Sequence, residues 1–454
     1  MGQKGNDPYF LRQTSAAPLA VFRILFGLML FLSMGRFWLK GWIYELYIAP
    51  RYFFSFYGFE WITPWGGYTY LLFAMGMISA LMVMLGYYYR LAAILLFLCF
   101  TYIELMDKTT YLNHYYFVSL VSFIMMFLPA HVYFSIDAYR NAKIRCGTVP
   151  QWCIDSLKLL VFILYFYAGL AKLNSDWLVH ALPLRIWLPA RNDMPIIGFL
   201  FNYDWIPYLF SWFGCIYDLT IVFWLLNAKT RLVAYATVVV FHLLTALLFP
   251  IGMFPYVMIV TALIFFSPEF HQKSIQRLGK WVRYPTDLLF TSKPYVYQPV
   301  SQKLLLSGFT VFFVFQLLFP FRYLCYPGEL FWTEQGYRFS WRVMLMEKAG
   351  SAQFLVKGRR GKLVYVNNTD FLTVLQEKMM ATQPDMILQY AHILENYYTK
   401  QGYDSPQVFV DSYVSMNGRL GKPLIDPKTD LAQEKESFAN KPWILPLQDE
   451  IKGF

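Results

Sequence analysis

Charged residues are scarce in this 454-residue sequence. Asp, Glu, Lys and Arg together make up 15% of it, whereas hydrophobic residues make up 57%. Soluble domains carry about 25% charged residues, so the composition excludes an ordinary soluble protein and indicates a polytopic membrane protein. Acidic residues are the rarer sign, which gives a net charge of +11. We attribute that charge to loops on one membrane face, and we expect no nucleic-acid partner, because no nucleic-acid-binding signature accompanies it.

Cysteine is scarce as well. The sequence has five cysteines, which form no CxxC pair and no His/Cys ligand spacing. Most of them lie within apolar segments, where a cysteine behaves as a small buried hydrophobe. The pattern therefore excludes a disulfide scaffold, and we expect no bound metal.

Long apolar runs are abundant. A helix needs about 20 mostly apolar residues to cross a bilayer, and about nine segments approach that length. They are residues 18–38, 68–88, 91–106, 112–130, 153–173, 205–227, 232–250, 252–267 and 303–320. The polar N-terminus runs directly into the first segment, which predicts an uncleaved signal-anchor helix. We therefore predict an α-helical polytopic membrane protein with a transmembrane domain over residues 1–320.

The distribution of basic residues predicts the orientation. With the N-terminus in the cytoplasm, the inner loops receive most of the Lys and Arg, as the positive-inside rule expects. An odd number of spans then places residues 321–454 outside, in a periplasm or an organelle lumen. In a bacterium, the membrane would be the cell inner membrane.

Residues 321–454 are polar and carry short-range structural signals. Two short apolar runs, 353–356 and 363–366, flank a Gly-containing turn and predict a hairpin. Residues 384–400 have helical spacing. Residues 406–416 alternate as in a strand, and Asn417-Gly418 supplies a turn. This region is expected to form a small extramembrane α+β domain.

Polar residues gather at the outer ends of two predicted spans. Asn113 and His114 begin the fourth span and Lys172 ends the fifth, so the topology brings them to one depth. Desolvation disfavours the ammonium form of a lysine, so a lysine in an apolar pocket can take a proton from a phenol or quinol. A neutral histidine can relay that proton, and an asparagine dipole can hold an oxyanion. The nearby aromatic residues that suit a flat lipophilic ring are Tyr111, Tyr115, Tyr116, Tyr165 and Tyr167.

Each polar residue also has a purely structural interpretation. Lys172 can snorkel to water from the helix end. His114 can be satisfied by a backbone carbonyl at the interface, and Asn113 can cap its helix. His242, inside the seventh span, is either a satisfied core histidine or a pocket wall. The residues alone leave these alternatives open.

Four stretches together resemble a known family. They are Asp-Lys-Thr-x-x-x-Asn-His at 107–114, Tyr-Ala-Gly-Leu-Ala-Lys-Leu-Asn-Ser-Asp-Trp at 167–177, Ile-Gly-Met-Phe-Pro-Tyr-Val-Met at 251–258, and Gly-Tyr-Arg-Phe-Ser-Trp-Arg-Val-Met at 336–344 with Tyr-Val-Asn at 365–367. In this order they resemble segments of the vitamin K-dependent γ-glutamyl carboxylases and their bacterial relatives, whose membrane part is called the HTTM domain.

The resemblance implies an enzyme that uses reduced vitamin K, a phylloquinone or menaquinone hydroquinone. Lys172 would be the base that deprotonates the hydroquinone, which then reacts with O2. The oxygenated species removes a γ-proton from protein glutamate, CO2 adds to the carbanion, and the quinone leaves as its epoxide. His114 and Asn113 would lie at the quinol and the carbanion. The implied quinol-binding residues are Tyr167, Tyr115, His242 and Met253, and the implied glutamate-binding residues are Trp341, Tyr365 and Asn367.

Two other functions are compatible with the same residues. One is a quinol epoxidase that no longer carboxylates. The other is a non-catalytic HTTM membrane protein or transporter in which Lys172 and His114 line a substrate path. The carboxylase predicts three partners, namely the lipid bilayer, a lipid quinone and a glutamate-containing peptide or protein.

Overall fold

A bundle of apolar helices forms the larger part of the molecule, for which a computed structural model describes residues 8–358 and 361–453. The helices of the bundle and its surface are α1 (Ala17–Leu39), α2 (Trp42–Tyr47), α3 (Thr69–Leu85), α4 (Tyr89–Leu105), α5 (Asn113–Phe127), α6 (Ile136–Arg140), α7 (Gln151–Leu170), α8 (Ser175–Leu178), α9 (Leu184–Trp187), α10 (Trp205–Leu226), α11 (Arg231–Leu248), α12 (Phe254–Ala262), α13 (Pro268–Trp281) and α14 (Pro299–Leu318). Strands β1 (Gln13–Ser15) and β2 (Thr148–Pro150) pair antiparallel and join the N-terminal segment to the start of α7.

The helical membrane class is confirmed, but the predicted count of nine spans is not. Among the described residues, six helices are long and apolar enough to cross a membrane: α1, α3 extended by the helical turn before it to Gly66–Leu85 (20 residues), α7, α10, α11 and α14. A seventh span results if α12 and α13, which meet at a bend of 114°, are counted as one. Helices α4 and α5 have only 17 and 15 residues, so they extend about 22–26 Å along their axes, less than the hydrocarbon core of about 30 Å.

One fully buried arginine in α1 fixes the loops at the end of the bundle remote from the C-terminal domain. Arg23 donates from Nη1 to the carbonyls of Val83 and Met84, at 2.9 and 2.7 Å, and from Nη2 to that of Phe134, at 2.6 Å. Gly86 lies beside it with φ +63°, and a Cβ there would come within 2.5 Å of Nη1. The buried charge therefore satisfies carbonyls left free where α3 ends.

The C-terminal region forms the α+β domain that the sequence predicts. Its elements are α15 (Leu330–Thr333), β3 (Lys348–Lys357), β4 (Leu363–Tyr365), α16 (Val374–Met380), α17 (Pro384–Lys400), β5 (Gln407–Met416) and β6 (Lys422–Pro423). The antiparallel sheet has the order β4-β3-β5-β6. The predicted hairpin, helix and strand are confirmed as β3–β4, α17 and β5, while Arg359 and Arg360 of the hairpin turn lie outside the described residues.

Ion pairs of the buried Lys108 join this domain to the bundle. The Nζ of Lys108, in the loop between α4 and α5, lies 2.8 Å from Asp385 Oδ2 and 3.0 Å from Glu436 Oε1. Arg338 contacts the same Asp385 carboxylate at 2.6 Å. Because Lys108 is only 4% exposed, its charge is held by carboxylates of the C-terminal domain rather than by water.

A second set of contacts fixes the segment directly after α7. Asp176, 1% exposed, accepts two hydrogen bonds of 2.7 Å from the Arg419 guanidinium and one of 2.8 Å from Asn417 Nδ2. The backbone N–H of Ser175 donates to the Lys452 carbonyl at 2.7 Å. The C-terminal domain therefore holds the end of α7 in place through charge and backbone contacts.

The ion pairs of Asp385 with Lys108 and Arg338 predict that the stability of the protein depends on pH. Burial alone would raise the pKa of Asp385, but the charges of Arg338 and Lys108 outweigh it and hold that pKa well below its usual value. The pKa of an aspartate in the unfolded protein is about 3.9. Because the pKa of Asp385 is lower in the folded protein, the ionised carboxylate stabilises the fold above about pH 3.9, and this stabilisation is lost as the pH falls towards the folded pKa. We expect Asp385→Asn to cost about 1–2 kcal/mol at neutral pH, because the carboxylate bonds to two cations but is one-third exposed.

Thermal unfolding in detergent between pH 3 and 8 checks this expectation. The difference in Tm between wild type and Asp385→Asn should be constant above about pH 5 and shrink below about pH 4. Asp370→Asn is a matched control, since that carboxylate is exposed and accepts from Asn367 at 3.1 Å. A constant difference across the whole pH range would contradict the assignment.

Candidate active site

An apolar cavity of about 560 Å³ lies between α7, α10 and α11. Its walls are almost entirely carbon, and among the described residues its ionisable members are Tyr165, Lys172, Asp218 and His242. Val233 and Val240 line it and are also exposed on the outside of α11, so it opens on the side of the bundle. We call this space the lysine cavity.

Lys172 is buried at the rim of the lysine cavity, with 7% of its surface exposed. Its Nζ donates to Asp218 Oδ2 at 2.7 Å and to the Ala168 carbonyl at 3.0 Å, and it lies 5.3 Å from the centre of the Trp177 ring. A snorkelling lysine would extend to water. Its burial against a carboxylate contradicts that interpretation and leaves an amine facing apolar space.

His242 forms part of the cavity wall. Its ring is 1% exposed, and Nε2 lies 2.9 Å from the hydroxyl of Tyr165, which lies 3.3 Å from the Tyr217 hydroxyl. Within the described part of the chain, His242 Nδ1 has no hydrogen-bond partner. A satisfied core histidine would use both nitrogens, so His242 is better described as a wall residue with one free polar atom.

A second cavity of about 740 Å³ lies beneath the C-terminal domain, and we call it the histidine chamber. Its polar lining includes Arg36, Asn113 and His114, and Gln383 lines it from the C-terminal domain. His114 is 7% exposed, and its ring packs on those of Tyr115 and Phe254 at centroid distances of 4.6 and 5.7 Å. Among the described residues no carbonyl accepts from His114, so the interpretation of a carbonyl-satisfied interfacial histidine is contradicted.

Asn113 fixes one wall of the chamber. Its Nδ2 donates to the carbonyl of Arg342 at 2.8 Å, and its Oδ1 accepts from the Tyr111 hydroxyl at 3.1 Å. The N-cap residue of α5 is Leu112, and no side chain caps that helix. The capping interpretation is therefore wrong, and Asn113 holds the segment 336–346 against the bundle.

A thin wall separates the two cavities. Phe254, Val343 and Met344 line both, and the Phe254 ring lies 5.7 Å from the rings of His114 and His242 alike. The predicted convergence of Lys172 and His114 at one end of the bundle is therefore present, but the two residues face different cavities. The partner of Lys172 is Asp218 instead.

The sequence contained a signal for Asp218. It is an acidic residue within an apolar helix of 22 residues, α10, and such a residue in a span usually has a partner and a function.

Phe254 lies next to the predicted Met253, which lines neither cavity and packs against the core at the start of α12. The Phe254 ring, not the Met253 thioether, therefore reaches both sites.

Tyr167 also lines neither cavity. Its hydroxyl donates to the carbonyl of Leu317, and its ring packs against Phe321 at 5.4 Å, on the side of α7 that faces α14. Tyr165 lines the lysine cavity instead. The predicted Tyr115, by contrast, lines the histidine chamber.

The three residues predicted to bind glutamate are not assembled at either cavity. Trp341 is fully buried, with its ring 4.9 Å from that of Tyr116, and it belongs to the core. Tyr365 is 73% exposed on β4, and Asn367 is exposed and donates to Asp370. Tyr365 lies on an edge strand of the C-terminal sheet and Asn367 lies just after that strand, and neither side chain lines the chamber.

Within the described residues, no group of three or more His, Cys, Asp or Glu side chains could hold a metal ion. The arrangement is that of an integral membrane protein with a carbon-lined site beneath an extramembrane domain.

Two family models match the chain: the HTTM domain over residues 11–270, and the lumenal domain of vitamin K-dependent gamma-carboxylase over residues 301–450. The chain therefore belongs to the vitamin K-dependent γ-glutamyl carboxylase family. No solved structure matches it.

Proposed function

We propose that this protein is a quinol- and O2-dependent γ-glutamyl carboxylase that converts a reduced quinone to its epoxide and adds CO2 to protein glutamate. The observation that carries the proposal is the buried Lys172–Asp218 pair at the rim of an apolar cavity. Oxygenation is assigned to the lysine cavity and carboxylation to the histidine chamber. The family supports the coarser statement, a carboxylase of the vitamin K-dependent type.

The lysine cavity fits reduced vitamin K. Small-molecule pockets span about 300–1,000 Å³ and combine apolar walls with a few polar groups, and this cavity has about 560 Å³ with carbon walls. The free Nδ1 of His242 and the Lys172 amine are suited to the two hydroxyl groups of a hydroquinone. When bound, the hydroquinone supplies through its oxidation by O2 the driving force for removing a proton from carbon.

Lys172 is the proposed base. At 2.7 Å in apolar surroundings, its ammonium group donates a hydrogen bond along which a proton can pass to the Asp218 carboxylate. When Asp218 holds the shared proton, the neutral amine can accept another from a hydroxyl group in the cavity. Trp177 covers the pair from above and keeps water from competing for that proton.

The histidine chamber is the proposed site of carbanion chemistry. His114 has no competing hydrogen bond among the described residues, so its ring is free to contact a substrate. The Asn113 amide is fixed in place by hydrogen bonds at Oδ1 and at one of its two Nδ2 hydrogens, so we propose a positioning role for Asn113. The wall of Phe254 and Met344 brings the two sites within a side chain of each other.

The proposed setting is a bilayer whose outer leaflet supplies the quinone, with the C-terminal domain in the periplasm or lumen receiving the peptide. For a bacterial protein this is the inner membrane. An opening beside Val233 and Val240 gives the lysine cavity access from lipid. The chamber is covered by the C-terminal domain, which suits a substrate that arrives from the aqueous side.

A second candidate is quinol epoxidation without carboxylation. One observation favours it: Trp341 is sealed in the core, and Tyr365 and Asn367 face solvent, so no glutamate site forms from those three residues. The lysine cavity is independent of them. This candidate therefore keeps the chemistry of Lys172 and drops the second half of the reaction.

One assay separates the functions. Purified protein in lipid nanodiscs is incubated with reduced vitamin K, O2, labelled bicarbonate and a glutamate-rich peptide, with anaerobic and peptide-free reactions as controls. Epoxide together with peptide-bound label is the result expected for the carboxylase. Epoxide without label identifies the epoxidase. Neither product would overturn the enzyme proposal and leave the non-catalytic membrane protein or transporter.

A further inference from the structure

Arg36, in the last turn of α1, projects into the histidine chamber. Its guanidinium carbon lies 5.0 Å from the centre of the Trp42 ring, and a Cβ built on Gly252 would lie 3.5 Å from its Nη2. Its charge acts on the neighbouring rings of His114 and Tyr115. These contacts place a cation beside the free imidazole of the chamber.

Two of the other cations that line the chamber are already paired. Lys108 and Arg338 share the Asp385 carboxylate, at 2.8 and 2.6 Å, so they have little capacity left for a ligand. The guanidinium carbon of Arg342 lies 4.6 Å from the centre of the Tyr323 ring and 5.7 Å from that of the Phe331 ring. Its Nε and Nη1 have no hydrogen-bond partner among the described residues.

Among the described residues, Arg36 and Arg342 both lack an ion pair, but the Arg36 guanidinium lies over one aromatic ring rather than two. Among residues 8–358 and 361–453, no carboxylate lies at ion-pair distance from it, and its buried Nε has no hydrogen-bond partner. Glu45 lines the same chamber, yet it forms no ion pair with Arg36 in the described part of the chain. The fixed fork of a guanidinium matches a carboxylate with two parallel hydrogen bonds, whereas Trp42 offers only a ring face. The chamber thus presents an unused carboxylate-binding group.

We propose that Arg36 binds the side-chain carboxylate of the glutamyl substrate and so selects glutamate over glutamine. This inference rests on the proposed carboxylation in the histidine chamber. Arg36 anchors the carboxylate, and His114 beside it is placed to contact the adjoining carbons of the same side chain. A neutral amide presents both donor and acceptor atoms and no charge, so it gains less from a guanidinium.

Peptide binding tests the proposal without quinone or O2. Fluorescence anisotropy measures the affinity of a labelled eight-residue peptide with one glutamyl residue and of its glutaminyl twin. The wild type should prefer the glutamyl peptide by about 10- to 100-fold, the range of a charged hydrogen-bond pair. Arg36→Gln should remove that preference without changing the affinity for the glutaminyl peptide, and Arg36→Lys should keep part of it. An unchanged glutaminyl affinity also shows that the variant is folded.

The control is Arg51→Gln. Arg51 stacks on Tyr52 at 5.4 Å and does not line the chamber, so its replacement should leave the preference intact. A wild type that binds both peptides equally, or an Arg36→Gln variant that still discriminates, overturns the inference. The outcome of the epoxide assay does not depend on the outcome of this binding experiment. Absent epoxide with an Arg36-dependent preference would overturn the proposed enzyme and keep the carboxylate site.

Discussion

Replacing Lys172 with methionine is expected to lower epoxide formation by about 10²- to 10⁴-fold, the usual contribution of a positioned acid–base group. Methionine fills a similar volume but cannot accept a proton, and among the described residues the lysine cavity has no second amine. Initial rates of epoxide release, measured by chromatography with saturating reduced vitamin K, give the result directly.

Two controls separate lost chemistry from lost structure. Lys158→Met changes a lysine of α7, the helix that ends just before Lys172. The Lys158 side chain is 22% exposed and lies 3.6 Å from Asp155, and this variant should retain near-wild-type activity. The double variant Lys172→Met/Asp218→Leu removes both buried charges. Replacing a buried ion pair by apolar residues is often neutral or stabilising, so this protein should fold and remain inactive. Full activity in either Lys172 variant would refute the assignment of the base.

Replacing Arg419 with methionine is expected to cost about 3–5 kcal/mol of stability, because it leaves a buried carboxylate without its cation. The carboxylate is Asp176, which is 1% exposed and would keep only the hydrogen bond from Asn417. Thermal or chemical unfolding in detergent measures the loss. Because Asp176 follows α7 closely, the variant should also lower epoxide formation while adding reduced vitamin K restores part of the lost stability.

The matched control is Lys422→Met. Lys422 lies on the neighbouring strand, and its amine donates to Gln448 at 3.4 Å without an ion pair among the described residues. Its replacement should change the free energy of unfolding by less than about 0.5 kcal/mol. Equal losses in the two variants would show that the Asp176 contact contributes nothing specific.

Local patterns were sufficient to predict the C-terminal domain. The helical spacing of 384–400 and the alternation ending at Asn417 reappear as α17 and β5 with its turn. Local patterns did not predict the number of membrane spans. Hydropathy does not show that α4 and α5 stop after 17 and 15 residues or that α12 and α13 meet at 114°, because packing against other helices decides both.

The candidate site was predictable in part. The ends of α5 and α7 converge as topology predicts, but the carboxylate that pairs with Lys172 lies 46 residues away, and no local spacing connects the two. The family resemblance implied Tyr167, whereas Tyr165 lines the cavity. Positions 165, 168 and 172 lie on one face of a helix, whereas 167 lies on another, so helical periodicity already favoured Tyr165 as the wall residue. The burial of Trp341 depends on packing against residues distant in the chain, such as Tyr116, which the local sequence does not reveal.

The pairing of residues 174–175 with 452–453 has a consequence for biogenesis. Ser175 exchanges hydrogen bonds with Lys452, and Asn174 bridges to Gly453, across 277 or more positions of chain. During synthesis on a ribosome, α7, which ends just before Lys172, enters the lipid long before residues 452 and 453 emerge. The contacts that hold the loop after Lys172 therefore form only after those residues have been made, so α7 is inserted before this loop is fixed.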